Sequence, residues 1–160
     1  MNRPCQYPFL LLLCVLLLAG CAESDPHRRF LAGDYHASFK TFSRLADSGD
    51  MAAGNFVGIH YYLGAGVERN FTTAARWFEQ AALTGNADAQ RNLGTLYLRG
   101  WGVPRNYEHA YGWLYLAYTQ GNARARHYLE LTEHMITPNQ TMAARKWVAR
   151  QMAGSAKSAD

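Results

Sequence analysis

Residues 49–84 read GDMAAGNFVGIHYYLGAGVERNFTTAARWFEQAALT, and residues 85–120, GNADAQRNLGTLYLRGWGVPRNYEHAYGWLYLAYTQ, restate them. A shift of 36 residues lays Gly49 on Gly85, Ala53 on Ala89, Gly58 on Gly94 and Tyr61 on Tyr97. It lays Gly64, Gly66 and Val67 on Gly100, Gly102 and Val103, and Arg69 and Asn70 on Arg105 and Asn106. Ala74, Trp77 and Ala81 fall on Ala110, Trp113 and Ala117. These twelve identities in 36 positions run the length of the unit, so the whole unit is repeated and not one motif within it. A fixed period of this size marks a stacked repeat protein.

The spacing inside one unit predicts a helix pair. Ala53, Val57, Gly58 and Tyr61 lie on one helical face. Gly64-Ala65-Gly66-Val67 then breaks the pattern, since glycine takes positive φ without strain. Asn70 is placed to cap the next helix by accepting from its free amides. Ala74, Trp77, Phe78, Ala81 and Ala82 recur at i, i+3, i+4, i+7 and i+8 on that second helix. Gly85 suits the position just past its end, and Asn86 the cap of the following helix. Neither helix can bury its apolar stripe alone, so the units must stack. Gly58 and Gly94 fall in mid-helix, where glycine costs about 1 kcal/mol against alanine. Close approach of a neighbouring helix offsets that cost, with Trp77 and Trp113 expected to fill the space.

The pattern A-x-x-x-(V/L)-G-x-x-Y-x-x-G-x-G-V-x-x-N-x-x-x-A-x-x-W-x-x-x-A-x-x-x-G-N resembles the Sel1-like repeat, a relative of the tetratricopeptide repeat. Two full copies cover residues 49–84 and 85–120, and partial copies extend the match to about 30–152. The resemblance implies an all-α, right-handed α-solenoid of antiparallel helix pairs, with an N-terminal half repeat and a C-terminal capping helix. It also implies an adaptor role in assembling complexes.

The 160-residue chain is 49% hydrophobic and 18% charged, which suits one packed domain. Its net charge is +4, and no basic run interleaved with aromatics suggests nucleic acid. Residues 1–20 read as a leader. Arg3 precedes an apolar run, Phe9–Leu18, too short to span a bilayer. The run ends Leu18-Ala19-Gly20-Cys21, which resembles the lipobox of bacterial lipoproteins. That resemblance implies cleavage before Cys21 and diacylglycerol on its sulfur, with Ala22 favouring the outer membrane facing the periplasm. An ordinary secretory leader with a chance cysteine is the alternative. Cys5 and Cys14 leave with the leader, which departs from the cysteine-paired branch of the family.

Residues 21–29 are expected to be a lipidated tether, residues 30–153 the repeat domain and residues 154–160 a loose tail. Asp34 is the expected cap of the half repeat, whose Ser38, Phe42, Leu45 and Ala46 stand one period before Ala74, Phe78, Ala81 and Ala82. Gly121-Asn122 opens a third first helix, but Glu130 replaces its glycine and no G-x-G-V turn follows. Thr137 and Pro138 open a closing helix with Ala144, Trp147, Val148 and Met152 inward and Arg145, Lys146 and Arg150 outward.

Few residues suggest chemistry. His127, Glu130, Glu133 and His134 share a helix, but the two histidines stand ~10 Å apart, too far to ligate one ion together. No nucleophile motif or phosphate loop is present, so no enzyme activity and no cofactor are expected. The remaining candidate is a concave stripe on the first helices: Asn55, Phe56 and Ile59, then Arg91, Asn92 and Thr95, then His127, Tyr128 and Leu131. Such a stripe suits a peptide or helix of another envelope protein, unless neighbouring units fill it themselves. Trp101, between two turn glycines, is a candidate binding residue, since a turn of this kind points its middle side chain outward. The alternative is that it folds down as packing. A membrane-tethered adaptor is the leading expectation. Cell-wall binding, weak hydrolysis of the penicillin-binding or β-lactamase kind, and regulation of a membrane sensor are the alternatives.

Overall fold

The computed structural model describes residues 25–157; the expected leader, residues 1–20, and the expected lipidation at Cys21 lie outside them. The described residues form helices α1 (Pro26–Leu31), α2 (Tyr35–Asp47), α3 (Met51–Leu63), α4 (Phe71–Leu83), α5 (Ala87–Arg99), α6 (Tyr107–Thr119), α7 (Ala125–Glu133) and α8 (Pro138–Lys157). Each packs on the next from α1 to α7, and α8 returns to lie on α6. The protein is an all-helical solenoid in which α3–α4 and α5–α6 are the two full units.

The caps follow the sequence. Asp34, Asp50, Asn70, Asn86 and Asn106 each accept from the backbone amide three residues on, at 3.3, 3.0, 2.9, 2.9 and 2.9 Å. Thr137 and Gln140 cap α8 reciprocally: the Thr137 amide donates to Gln140 Oε1 at 2.9 Å and the Gln140 amide to Thr137 Oγ1 at 3.4 Å.

The turn glycines explain how units join. A methyl group on Gly66 would stand 2.5 Å from the Tyr35 carbonyl carbon at the start of α2. One period later, Gly102 sits in the same way against Phe71 at the start of α4. Each turn therefore seats on the second helix of the preceding unit, where no side chain fits.

Gly58 and Gly94 allow close approach, but not of the tryptophans. A methyl on Gly58 would meet Phe78 Cε1 at 2.6 Å, and one on Gly94 would meet Leu114 Cγ at 2.7 Å. The residue after each tryptophan fills the space. Trp77 instead lies over Gly54 and is half-buried. Trp113 is buried, with Trp147 of α8 edge-on to it at 5.7 Å. Helix α8 lies mainly on α6 of the second repeat and meets α4 of the first only lightly.

Three boundaries differ from expectation. Residues 26–29 are not extended tether; they belong to α1, capped by Asp25 and tied to α2 where Ser38 Oγ donates to the Pro26 carbonyl at 2.9 Å. His27 sets its edge against Phe42 and Phe56, at 4.9 and 4.3 Å. At the other end α8 continues past Ala153 to Lys157. The third difference is α7, which begins at Ala125 because Asn122 first makes a turn, accepting from the Ala125 amide at 3.2 Å and donating to Asp88 at 2.9 Å. Of the outward residues on α8, Arg145 is exposed yet engaged. Its Nη2 donates to Tyr111 Oη at 2.6 Å, and Tyr111 donates to Glu133 Oε1 at 3.3 Å, joining α8, α6 and α7.

Candidate interaction site

The first helices α3, α5 and α7 stand side by side, so residues at one repeat phase form columns across them. Between these helices lies a cleft of about 100 Å³ lined by Ile59, Tyr62, Phe78, Arg91, Asn92, Thr95 and Tyr128. Five of the stripe residues meet here: Ile59, Arg91, Asn92, Thr95 and Tyr128. Phe78 reaches the cleft because Gly58, in front of its ring, has no side chain.

The rest of the stripe is placed otherwise. Asn55 is buried and accepts from Asn92 Nδ2 at 3.0 Å, a bond that holds α3 to α5. Phe56 turns toward the N-terminal end, stacked on Phe42 at 4.7 Å. With His27, Phe30, Leu31 and Ile59 it lines a second, apolar recess of about 190 Å³. His127 and Leu131 are exposed on α7, outside the lining of the cleft. Neighbouring units thus fill part of the stripe and leave its centre open.

Trp101 does not point outward. It is half-buried, stacked on Phe71 of the preceding unit at 5.2 Å and tilted toward Tyr62 at 6.0 Å, with the Arg99 guanidinium 4.7 Å from its ring. Its repeat-mate Ala65 is buried in the equivalent turn. The turn seats on the preceding helix, so its middle side chain turns inward. Trp101 thereby touches Tyr62, which also lines the cleft.

Charge in the cleft is one-sided. Arg91 is the cation of its lining, and its buried Nε meets no hydrogen-bond acceptor. Asp88 Oδ1 stands 3.8 Å away and already accepts from Asn122. Thr95 spends its hydroxyl within α5, donating to the Arg91 carbonyl at 2.8 Å.

Among the described residues no group of three or more His, Cys, Asp or Glu is placed to hold a metal ion. On α7, Glu130 pairs with Arg126 at 3.3 Å, and Glu133 takes the Tyr111 bond. Tyr62 and Phe78 are the lining residues that sequence reasoning missed. Tyr62 stands three residues after Ile59, so extending the stripe by one turn finds it. Phe78 was assigned to the core, where it also belongs.

Residues 53–86 and 87–122 match the Sel1 repeat family. No curated protein matches the chain. Among solved structures, a protective antigen present in uropathogenic Escherichia coli strains, displaying an SLR fold, aligns with TM-score 0.72 and 25% identity over 87% of this chain and 32% of its own. A Sel1 repeat protein from Oxalobacter formigenes aligns with TM-score 0.58 and 38% identity over 60% of this chain and 28% of its own. The chain thus spans about a third of the length of these relatives. Sel1 repeats generally mediate protein–protein interaction and are typically non-catalytic scaffolds.

Proposed function

We propose that this chain, a carrier of two Sel1 repeats, is a lipid-anchored, non-catalytic adaptor of the bacterial envelope that binds another envelope protein through its first-helix face. The observation that carries the reading is the open cleft crossing α3, α5 and α7, one helix from each of three successive units. Such a cleft offers a partner segment both apolar walls and polar groups, as peptide-binding grooves do. The anchor rests on the sequence Leu18-Ala19-Gly20-Cys21, with Ala22 favouring the outer membrane facing the periplasm. Among the described residues no helix is long and apolar enough to cross a membrane, so in this reading the lipid holds the domain.

A photo-crosslinking residue at Asn92, in intact cells, should give a specific protein adduct that the same residue at exposed Arg76 on α4 does not. Failure of every cleft position to give a specific adduct would remove the adaptor reading. Cys21→Ser should leave an unprocessed or mislocalised precursor. A variant that fractionates like the parent would remove the anchor and leave the adaptor standing.

A further inference from the structure

The chemistry of the cleft specifies the class of partner it fits, an inference that rests on the adaptor reading above. Along α5, Arg91, Thr95 and Arg99 recur at i, i+4 and i+8, so a single helical face carries two arginines ~12 Å apart. Arg91 lies in the cleft, and Arg99 packs over Trp101, whose ring meets the lining residue Tyr62. The helices on either side present Ile59 and Tyr62 on α3 and Tyr128 on α7 to the cleft.

Arg91 decides the matter. An arginine holds five donors in a planar fork suited to carboxylates. Here the side chain is four-fifths covered, and its buried Nε has no acceptor within hydrogen-bond reach. The carboxylate of Asp88 is 3.8 Å off, more than half exposed, and shared with Asn122. A buried donor without an acceptor lacks the compensation that buried polar groups ordinarily have. On α7, Glu130 pairs with Arg126 at 3.3 Å. The cleft thus offers the Arg91 guanidinium between Ile59 and Tyr62 on one side and Tyr128 on the other.

We infer that the cleft recognises an acidic peptide segment of the partner, an Asp or Glu side chain on Arg91 with apolar neighbours against Ile59, Tyr62 and Tyr128. Arg99, two turns further along α5, adds positive charge that draws such a segment in, so it acts mainly on association.

The test pans a display library of random linear peptides on the full chain in nanodiscs, then measures the enriched peptides by fluorescence anisotropy. Enriched sequences should pair Asp or Glu with apolar residues, and their binding should weaken as salt rises. Arg91→Gln should weaken binding about tenfold or more, the loss of a charge-assisted hydrogen bond, without lowering the melting temperature. Arg91→Lys, which keeps the charge and loses the fork, should fall between and serves if the glutamine variant folds poorly. Enriched peptides with no acidic bias, acidic peptides indifferent to both Arg91 variants, or no enrichment would each overturn the inference. If any of these occurs while Asn92 still crosslinks a specific protein in cells, the adaptor stands and only the acidic preference falls.

Discussion

Gly94→Ala inverts the usual rule for a glycine inside a helix. Alanine in mid-helix is favoured over glycine by about 1 kcal/mol. At Gly94 the added methyl would stand 2.7 Å from Leu114 Cγ, 3.2 Å from Leu114 Cδ2 and 3.1 Å from the Ala110 carbonyl oxygen. Carbon atoms in good contact lie about 3.5–4.0 Å apart. Leu114 is fully buried, and the atom met first is its branch point, which cannot swing aside. The α5–α6 pair must therefore part by several tenths of an ångström, and overpacking of this kind costs about 1–3 kcal/mol. After the helix-propensity gain, the net loss should be up to about 2 kcal/mol, read as a drop in the midpoint of urea or thermal unfolding. Gly54→Ala is the control, because its methyl meets Trp77 Cε3 at 3.4 Å, an ordinary contact. That variant should unfold at or above the parent midpoint. Gly94→Ala should also lessen the cost of Leu114→Ala in a double-mutant cycle, since its methyl occupies part of the vacated space. A Gly94→Ala protein at least as stable as the parent, with no coupling to Leu114, would refute the close-approach reasoning.

Trp101→Ala should lower the unfolding midpoint, because the indole stacks on Phe71 of the preceding unit; an unchanged midpoint would return Trp101 to the role of a free binding residue. Removing the chain from Pro138 onward should expose α6, around Gly112 and Trp113, and not α7, because Ala144 and Val148 of α8 pack there. The truncated protein should aggregate on size-exclusion chromatography, and a monodisperse monomer with an unchanged midpoint would show that α8 closes nothing. Stability should fall on acidification through about pH 6.5, the ordinary histidine value. Burial holds the folded-state pKa of His60 and of His109 below that value, despite opposing pulls from the Ala65 carbonyl on the first and from Glu108 and Glu79 on the second. The unfolded chain therefore binds more protons in that window, which favours unfolding. Titrating the midpoint from about pH 7.5 to 5.5 checks this, and His60→Leu should flatten the slope.

How much of this was legible in the sequence follows from which contacts are local. The helix pairs, caps and turns are set within a few residues, and the 36-residue period displays them. Contacts between units are another matter. Adjacent residues on a helix differ by about 100° in direction, and periodicity alone does not say whether Trp77 or Phe78 faces Gly58. The direction of Trp101 depends on a turn seated on Phe71, thirty residues earlier. Helix α1 has six residues, too few to show a period, so the diversion of Phe56 toward His27 was not readable. His60 carried a signal that counting histidines overlooks: its repeat-mate is Leu96, buried like it. A polar residue at that phase needs internal partners, and it has them in the Ala65 carbonyl at 2.6 Å and Ser38 Oγ at 3.1 Å.

The same division of labour locates recognition. The identities between units, such as Ala53 with Ala89, Gly58 with Gly94 and Ala74 with Ala110, sit in contacts that every unit must make with its neighbours. The cleft draws Ile59, Arg91, Asn92, Thr95 and Tyr128 from columns in which the units disagree: Asn55, Arg91 and His127; Phe56, Asn92 and Tyr128; Ile59, Thr95 and Leu131. A solenoid needs its stacking positions alike, because each interface repeats the last. No such demand falls on the open face, so a residue like Arg91 can stand there at some cost to its own unit. Its buried Nε has no hydrogen-bond acceptor in the solenoid, only an ion pair at 3.8 Å with an Asp88 carboxylate that is more than half exposed. Arg91 is thus the position on the open face at which a partner's carboxylate has the most to gain.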